Sequence, residues 1–87
     1  MSARYANPEA QQETRRRVLE VLDDEGWMTR RQIERAAYPR HDFRDLNVAA
    51  AIGWLHSKEM VERSVYSGRY HITEQGRLNL RFAEAVQ

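Results

Sequence analysis

The residue types that most often carry catalysis or hold metals are sparse in this chain and poorly spaced for either task. His41, His56 and His71 stand far apart, and there is no cysteine. The chain therefore offers no thiolate site and no familiar histidine–carboxylate metal spacing. Ser57 and Ser64 lie outside any nucleophile-elbow pattern, and no glycine-rich phosphate loop occurs. These absences predict a protein that is not an enzyme and that needs no metal or cofactor. What remains is arginine. Every cation except Lys58 is an arginine, whose planar fork matches phosphate oxygens. A second account of that bias is a genome that favours arginine codons. Arg30 and Arg31 fall in the first turn of a predicted helix, where free N–H groups and the helix dipole favour anions. Arg63 and Arg69 flank a predicted hairpin turn. The chemistry these residues could do is recognition of phosphate; the alternative is a set of solvated surface arginines. Arg15, Arg16 and Arg17 are consecutive on a predicted helix and point in different directions, so they form no single patch.

The formal charge is +1, from 14 Lys plus Arg against 13 Asp plus Glu. A nucleic-acid binder usually shows a stronger basic excess. The distribution is more informative than the sum: acids outnumber cations before Gly26, and cations outnumber acids after it.

The elements that must position these arginines are legible. Asn7, Pro8 and Glu9 form a helix start, with a capping side chain, a proline at the first helical position and an acid at the positive dipole end. Ala10, Val18, Val21 and Leu22, with Thr14 between, predict an apolar stripe along a helix over Pro8 to Glu25, ended by Gly26. Trp27 and Met28 make an extended link, with Trp27 expected in the core. Thr29 and Gln32 form a capping box. The helix that follows buries Ile33, Ala36 and Ala37 and stops at Pro39, which pushes Tyr38 out of the helical region. After a polar turn over Arg40 to Arg44, Asp42 or Asp45 caps a third helix running to about Lys58. Its buried stripe is Val48, Ile52 and Leu55, with Ala49 and Ala51 alongside. Val61 to Tyr66 and Arg69 to Thr73 predict a β-hairpin around a two-residue Ser67-Gly68 turn. That register pairs Tyr66 with Arg69 and Val65 with Tyr70, and puts Val61, Val65, Tyr70 and Ile72 on the buried face. Thr73 caps a last helix from Glu74 to about Val86, with Leu78, Phe82, Ala85 and Val86 in one stripe and Leu80 off it.

The 87 residues suffice for one domain over 1–87, its core and hairpin over 7–73 and its last helix over 74–86. With 41% hydrophobic residues the core is thin, which favours a homodimer or a regular helical layout. No apolar run approaches a membrane span, and Met1 to Pro8 lack the apolar stretch of a secretory signal. A cytoplasmic protein without membrane contact is expected.

Three stretches carry a family resemblance: Thr29-Arg30-Arg31-Gln32-Ile33 with Ala36-Ala37; Val48-Ala49-Ala50-Ala51-Ile52-Gly53-Trp54-Leu55 running into Lys58-Glu59-Met60-Val61-Glu62-Arg63; and Gly68-Arg69-Tyr70-His71-Ile72-Thr73-Glu74-Gln75-Gly76-Arg77. In this order the chain resembles the winged helix-turn-helix superfamily of small prokaryotic and phage transcription regulators. The resemblance implies a mainly α fold with a small β-hairpin: a three-helix core, a two-stranded wing and a C-terminal helix. It also implies double-stranded DNA binding, with the third helix in the major groove and the wing on the backbone or minor groove. On that reading Asn47, Ala50, Ala51, Trp54 and Lys58 face outward. Asn47 would meet adenine, Arg44 guanine or phosphate, and the alanines thymine methyls. Arg30, Arg31, Arg63 and Arg69 would hold the backbone. Leu78, Phe82 and Val86 would form a dimer interface, or fold back onto the first helix of the same chain. Trp54 is either half-buried against Phe43 or Tyr38 or an anchor for another protein. That last possibility supports the alternative of a protein-interaction module. The chain departs from the family in its longer turn over Tyr38 to Arg44, its minimal wing tip and a third helix poor in polar groups.

Overall fold

The computed structural model describes residues 8–40 and 46–86. Among the described residues the fold is mainly helical, with four helices and one two-stranded antiparallel sheet. Its order is α1 (Pro8–Glu25), α2 (Arg30–Ala37), α3 (Leu46–Ser57), β1 (Val61–Arg63), β2 (Tyr70–Ile72) and α4 (Glu74–Val86). The expected caps Asn7, Asp42 and Asp45 lie outside the described residues.

Helix α1 is the spine. Val18, Leu19 and Leu22 are buried on its inner face. Leu19 widens the expected stripe, and Val21 lies only part-way in, packed against the core. Gly26 ends the helix at φ 87°, and its N–H donates to the Leu22 carbonyl at 3.1 Å. A left-handed residue at this point favours glycine because it has no Cβ to clash. Thr14, although polar, is buried. Its hydroxyl donates back to the Ala10 carbonyl and shares a 2.9 Å hydrogen bond with the Tyr38 hydroxyl. The pair ties α1 to the end of α2 and satisfies two polar groups that would otherwise be costly to bury.

The capping box of α2 forms as the sequence predicts. Thr29 Oγ1 accepts from Gln32 N at 3.1 Å, and Gln32 Oε1 accepts from Thr29 N at 2.9 Å. Tyr38 leaves the helix at φ −137°, ψ 73°, as the following proline requires. The buried face corrects the expectation at one position. Ile33 and Ala37 are in, Ala36 is exposed, and Glu34 is buried in its place. The short helix turns the side of Ile33, Glu34 and Ala37 inward, and Ala36 falls outside that arc.

Helix α3 buries Val48, Ile52 and Leu55 as expected, and Ala51 with them. It ends in a Schellman arrangement. Met60 N donates to the Leu55 carbonyl and Glu59 N to the His56 carbonyl. Glu59 takes the left-handed position at φ 61°, which glycine usually fills.

The hairpin pairs Val61 with Ile72, Glu62 with His71 and Arg63 with Tyr70. This corrects the predicted register by two residues. Parity is preserved, so Val61 and Ile72 still face the core, but Val65 moves from the buried face to the tip. The cause is Ser64. Its hydroxyl accepts from Tyr66 N and Ser67 N, and its carbonyl accepts from Gly68 N at 2.9 Å. The chain therefore turns over Val65–Gly68 rather than over Ser67-Gly68 alone. Met28 adds a single antiparallel bridge to Tyr70, with hydrogen bonds of 2.9 and 2.7 Å. The preceding Trp27 is not in the core. It is 47% exposed and stacks on His71 with ring centroids 4.7 Å apart.

Thr73 caps α4 by accepting from Gly76 N, and donates to the Glu59 carbonyl at 2.7 Å. Among the described side chains of α4, Leu80 is the one that enters the core. Leu78 and Phe82 are 58% and 72% exposed, so they do not fold back onto α1 of the same chain. Gly76 sits against the entry to β1: a Cβ there would lie 2.2 Å from the Met60 carbonyl oxygen. This close approach lets α4 dock against β1 and β2.

Candidate nucleic-acid interface

The arginines fall into two groups by what they touch, and the engaged group includes Arg77 of α4, bonded to Asp23 at 3.1 Å. Those on α1 are engaged within the fold. Arg16 bonds Glu13 at 2.8 Å and Glu20 at 2.6 Å. Arg17 reaches Glu13 and donates to the Ala37 carbonyl at 3.1 Å, capping α2. Arg15 lies over the Trp54 ring at 3.8 Å from its centroid. The Arg16 hydrogen bond, then that of Arg17, holds the Glu13 carboxyl below its ordinary range, and Glu13 raises the Arg16 guanidinium in return. Thus the run Arg15-Arg16-Arg17 is a set of intramolecular contacts and not a docking patch.

The second group has no such partners. Among the described residues, Arg31, Arg63 and Arg69 make no ion pair with a carboxylate, and all three are exposed. Arg30 lies 3.9 Å from Glu34, at the outer limit of a contact, with its side chain 63% exposed. Arg63 packs its guanidinium over the Tyr70 ring at 5.9 Å and beside Gly68. A shallow cleft runs between His56 at the end of α3 and the hairpin residues Arg63 to Gly68.

The outward side of α3 is not the one expected. Ala50 is exposed, as predicted, but Ala51 is 4% exposed and belongs to the core. Asn47 is half-buried and already has a partner within the chain. Trp54 is half-buried between Arg15 and Lys58, the latter 5.6 Å from its ring. Asn47, Ala51 and Trp54 line one small cleft with Gln11 and Arg15 of α1, and the exposed Ala50 borders it. The side of α3 free of neighbours carries Ala50, Gly53, His56 and Ser57. Apart from His56 it is made of small residues, and nothing lies within 4 Å of where a Gly53 Cβ would stand. Arg44 lies outside the described residues, as does the side chain of Val86.

His56 and the hairpin tip were not singled out as a unit from sequence. The signal for His56 was its spacing of three residues from Gly53, on the edge of the buried stripe away from Asn47 and Trp54. Val65 and Tyr66 were hidden by the wrong register; they are 89% and 97% exposed. Among the described residues no cluster of histidine and carboxylate side chains could hold a metal ion. No described helix is long and apolar enough to cross a membrane.

Against known proteins, the chain matches no family model, no curated protein and no solved structure.

Proposed function

We propose that this chain is a winged helix-turn-helix protein that binds double-stranded DNA, acts as a transcription regulator and catalyses nothing. The observation that carries this reading is the division among the arginines. Those of α1 are neutralised or stacked inside the fold, while among the described residues Arg31, Arg63 and Arg69, like Arg35, Arg40 and Arg81, are left without a carboxylate. A free arginine on a protein of net charge +1 keeps its full attraction for phosphate. Helix α3 approaches the major groove with Ala50, Gly53, His56 and Ser57. Its small side chains permit close contact but read few bases, so phosphate contacts supply most of the affinity. The hairpin is the wing, on the backbone or the minor groove. The protein works in the cytoplasm as a homodimer, joined through Leu78 and Phe82, two apolar side chains one turn apart that α4 leaves exposed.

Titration of the purified protein with mixed-sequence duplex tests this. Binding is expected at low salt and should weaken steeply as salt rises, because neutralised phosphates release counterions. Absence of binding at about tens of micromolar protein, the range of ordinary non-specific affinity, defeats the reading. The second reading is a protein-interaction module of the same fold. The observation in its favour is that the free side of α3 bears no Arg, Lys, Asn or Gln among the described residues. A protein that leaves duplex DNA untouched at low salt, yet is folded, favours it.

A further inference from the structure

The hairpin tip carries two large side chains that are almost fully exposed. Val65 is 89% exposed and Tyr66 97% exposed. Such residues at a loop tip gain nothing for folding. The loop that bears them is nevertheless tied down. Ser64 Oγ accepts from Tyr66 N and Ser67 N, Ser67 Oγ accepts from Arg69 N, and Gly68 N donates to the Ser64 carbonyl. Gly68 turns the chain at φ 70°. Every one of these bonds is made by backbone or by serine, and none by the Tyr66 or Val65 side chain. The loop thus fixes where the two side chains stand without using them.

Their surroundings select an occupant. From Arg63 to Tyr70 the chain has two arginines and no acid. Neither arginine has a carboxylate partner among the described residues. An apolar pair between two guanidinium groups that lack a carboxylate partner suits duplex DNA, whose phosphates flank base steps that expose flat apolar faces once a step is kinked open. Side chains of this kind enter the minor groove and part neighbouring base pairs. Aromatic rings stack on any base, since every base has a π-face.

We propose that Tyr66, supported by Val65, is a wedge that enters a base step of duplex DNA and bends it, while Arg63 and Arg69 hold the phosphates on either side. The inference rests on the DNA-binding reading above and adds to it a residue, a mode of contact and a deformation. Because α3 offers few base-reading groups, the wedge makes the ease of unstacking a source of sequence preference, with flexible pyrimidine–purine steps favoured.

The test uses the full chain and a short duplex labelled at both ends for energy transfer, with 2-aminopurine at a central TA step. On binding, the wild type should bring the ends together by a bend of about 20–90° and raise the 2-aminopurine signal as its base unstacks. Tyr66→Ala should weaken binding about tenfold, abolish both signals and leave the salt dependence unchanged. Tyr66→Phe should retain them. Thermal unfolding should be the same for all three proteins, since the side chain makes no contact in the fold. If Tyr66→Ala binds, bends and unstacks as the wild type does, the wedge is overturned while DNA binding stands. If the wild type binds with steep salt dependence but gives neither signal, the same conclusion follows. If the wild type binds no duplex at low salt, the DNA-binding reading falls and the wedge with it.

Discussion

The guanidinium of Arg15 on α1 lies over the indole of Trp54 on α3, 3.8 Å from the ring centroid. The contact decides which side of α3 is free. It closes the side bearing Asn47, Ala51 and Trp54 against α1, and leaves the side of Ala50, Gly53 and Ser57 to solvent. Trp54 is therefore a structural residue. Trp54→Ala should destabilise the fold by about 2 kcal/mol, below the range for fully buried aromatics because the ring is only half-buried. Arg15→Ala should cost about 0.5–1 kcal/mol through the lost cation–π contact. Urea denaturation measures both. Loss of duplex affinity in Trp54→Ala at full stability would place the indole in an interface instead.

Gly76→Ala sets two effects against each other. Alanine is the better helix former by about 1 kcal/mol. The added Cβ, however, would lie 2.2 Å from the Met60 carbonyl oxygen and 2.8 Å from Ile72 Cγ1. The first of these is backbone and cannot swing away. The clash should win, for a net loss of about 2 kcal/mol or more. Stability equal to or above the wild type would mean that α4 docks less closely than described.

Glu59 holds a left-handed position at φ 61°. Its backbone N–H and carbonyl are both used, by His56 and by Thr73, and neither bond needs the side chain. Glu59→Gly should therefore raise stability, by about 0.5–1 kcal/mol once the greater freedom of glycine in the unfolded chain is subtracted. A drop in the denaturation midpoint would assign the Glu59 side chain a role of its own.

Two substitutions probe the proposed DNA surface in opposite directions. Arg69→Ala should weaken binding similarly on all sequences and lower the salt slope by about one unit. Gly53→Lys adds a cation where nothing lies within 4 Å of the new Cβ, so it should strengthen binding and raise the slope by about one unit. Fluorescence anisotropy across a salt series reads both. If Gly53→Lys leaves affinity and slope unaltered, α3 does not face the duplex.

Phe82 is 72% exposed and Leu78 58%. Because neither contributes much to the core of its own chain, Phe82→Glu should leave the protein folded by circular dichroism while turning a dimer into a monomer in sedimentation equilibrium. A wild type that sediments as a monomer at high micromolar concentration removes the dimer from the proposal. Unfolding of Phe82→Glu would count against it too, by making Phe82 a residue of the core.

Helix bounds were legible because their signals are local. Pro8 and Gly26 bracket α1, the Thr29–Gln32 box opens α2, Pro39 closes it, and Thr73 caps α4. Each acts over a few residues through a backbone hydrogen bond or a fixed φ, so neighbours in sequence suffice to specify it. The buried stripe Val48, Ile52 and Leu55 was legible for the same reason, since helical periodicity is also local. Where the flanks of a helix point is a different matter. Asn47, Ala51 and Trp54 flank the buried stripe of α3 on one side, His56 on the other, and periodicity treats the two alike. The packing of α1 covers the first flank, leaves the second open and moves the proposed contact surface with it. The α4 stripe follows the same logic. Leu78 and Phe82 are as apolar as Leu80, but the close approach at Gly76 turns Leu80 inward and the other two outward. The hairpin register was lost to a competition within the turn, where the Ser64 hydroxyl captures two backbone N–H groups and lengthens the loop. Parity survived that shift, so Val61 and Ile72 stayed in the core. Val65 and Tyr66 did not survive it as strand residues. Their place at the tip follows from the longer, Ser64-bonded turn, and the alternation of apolar and polar residues does not distinguish it from the two-residue turn.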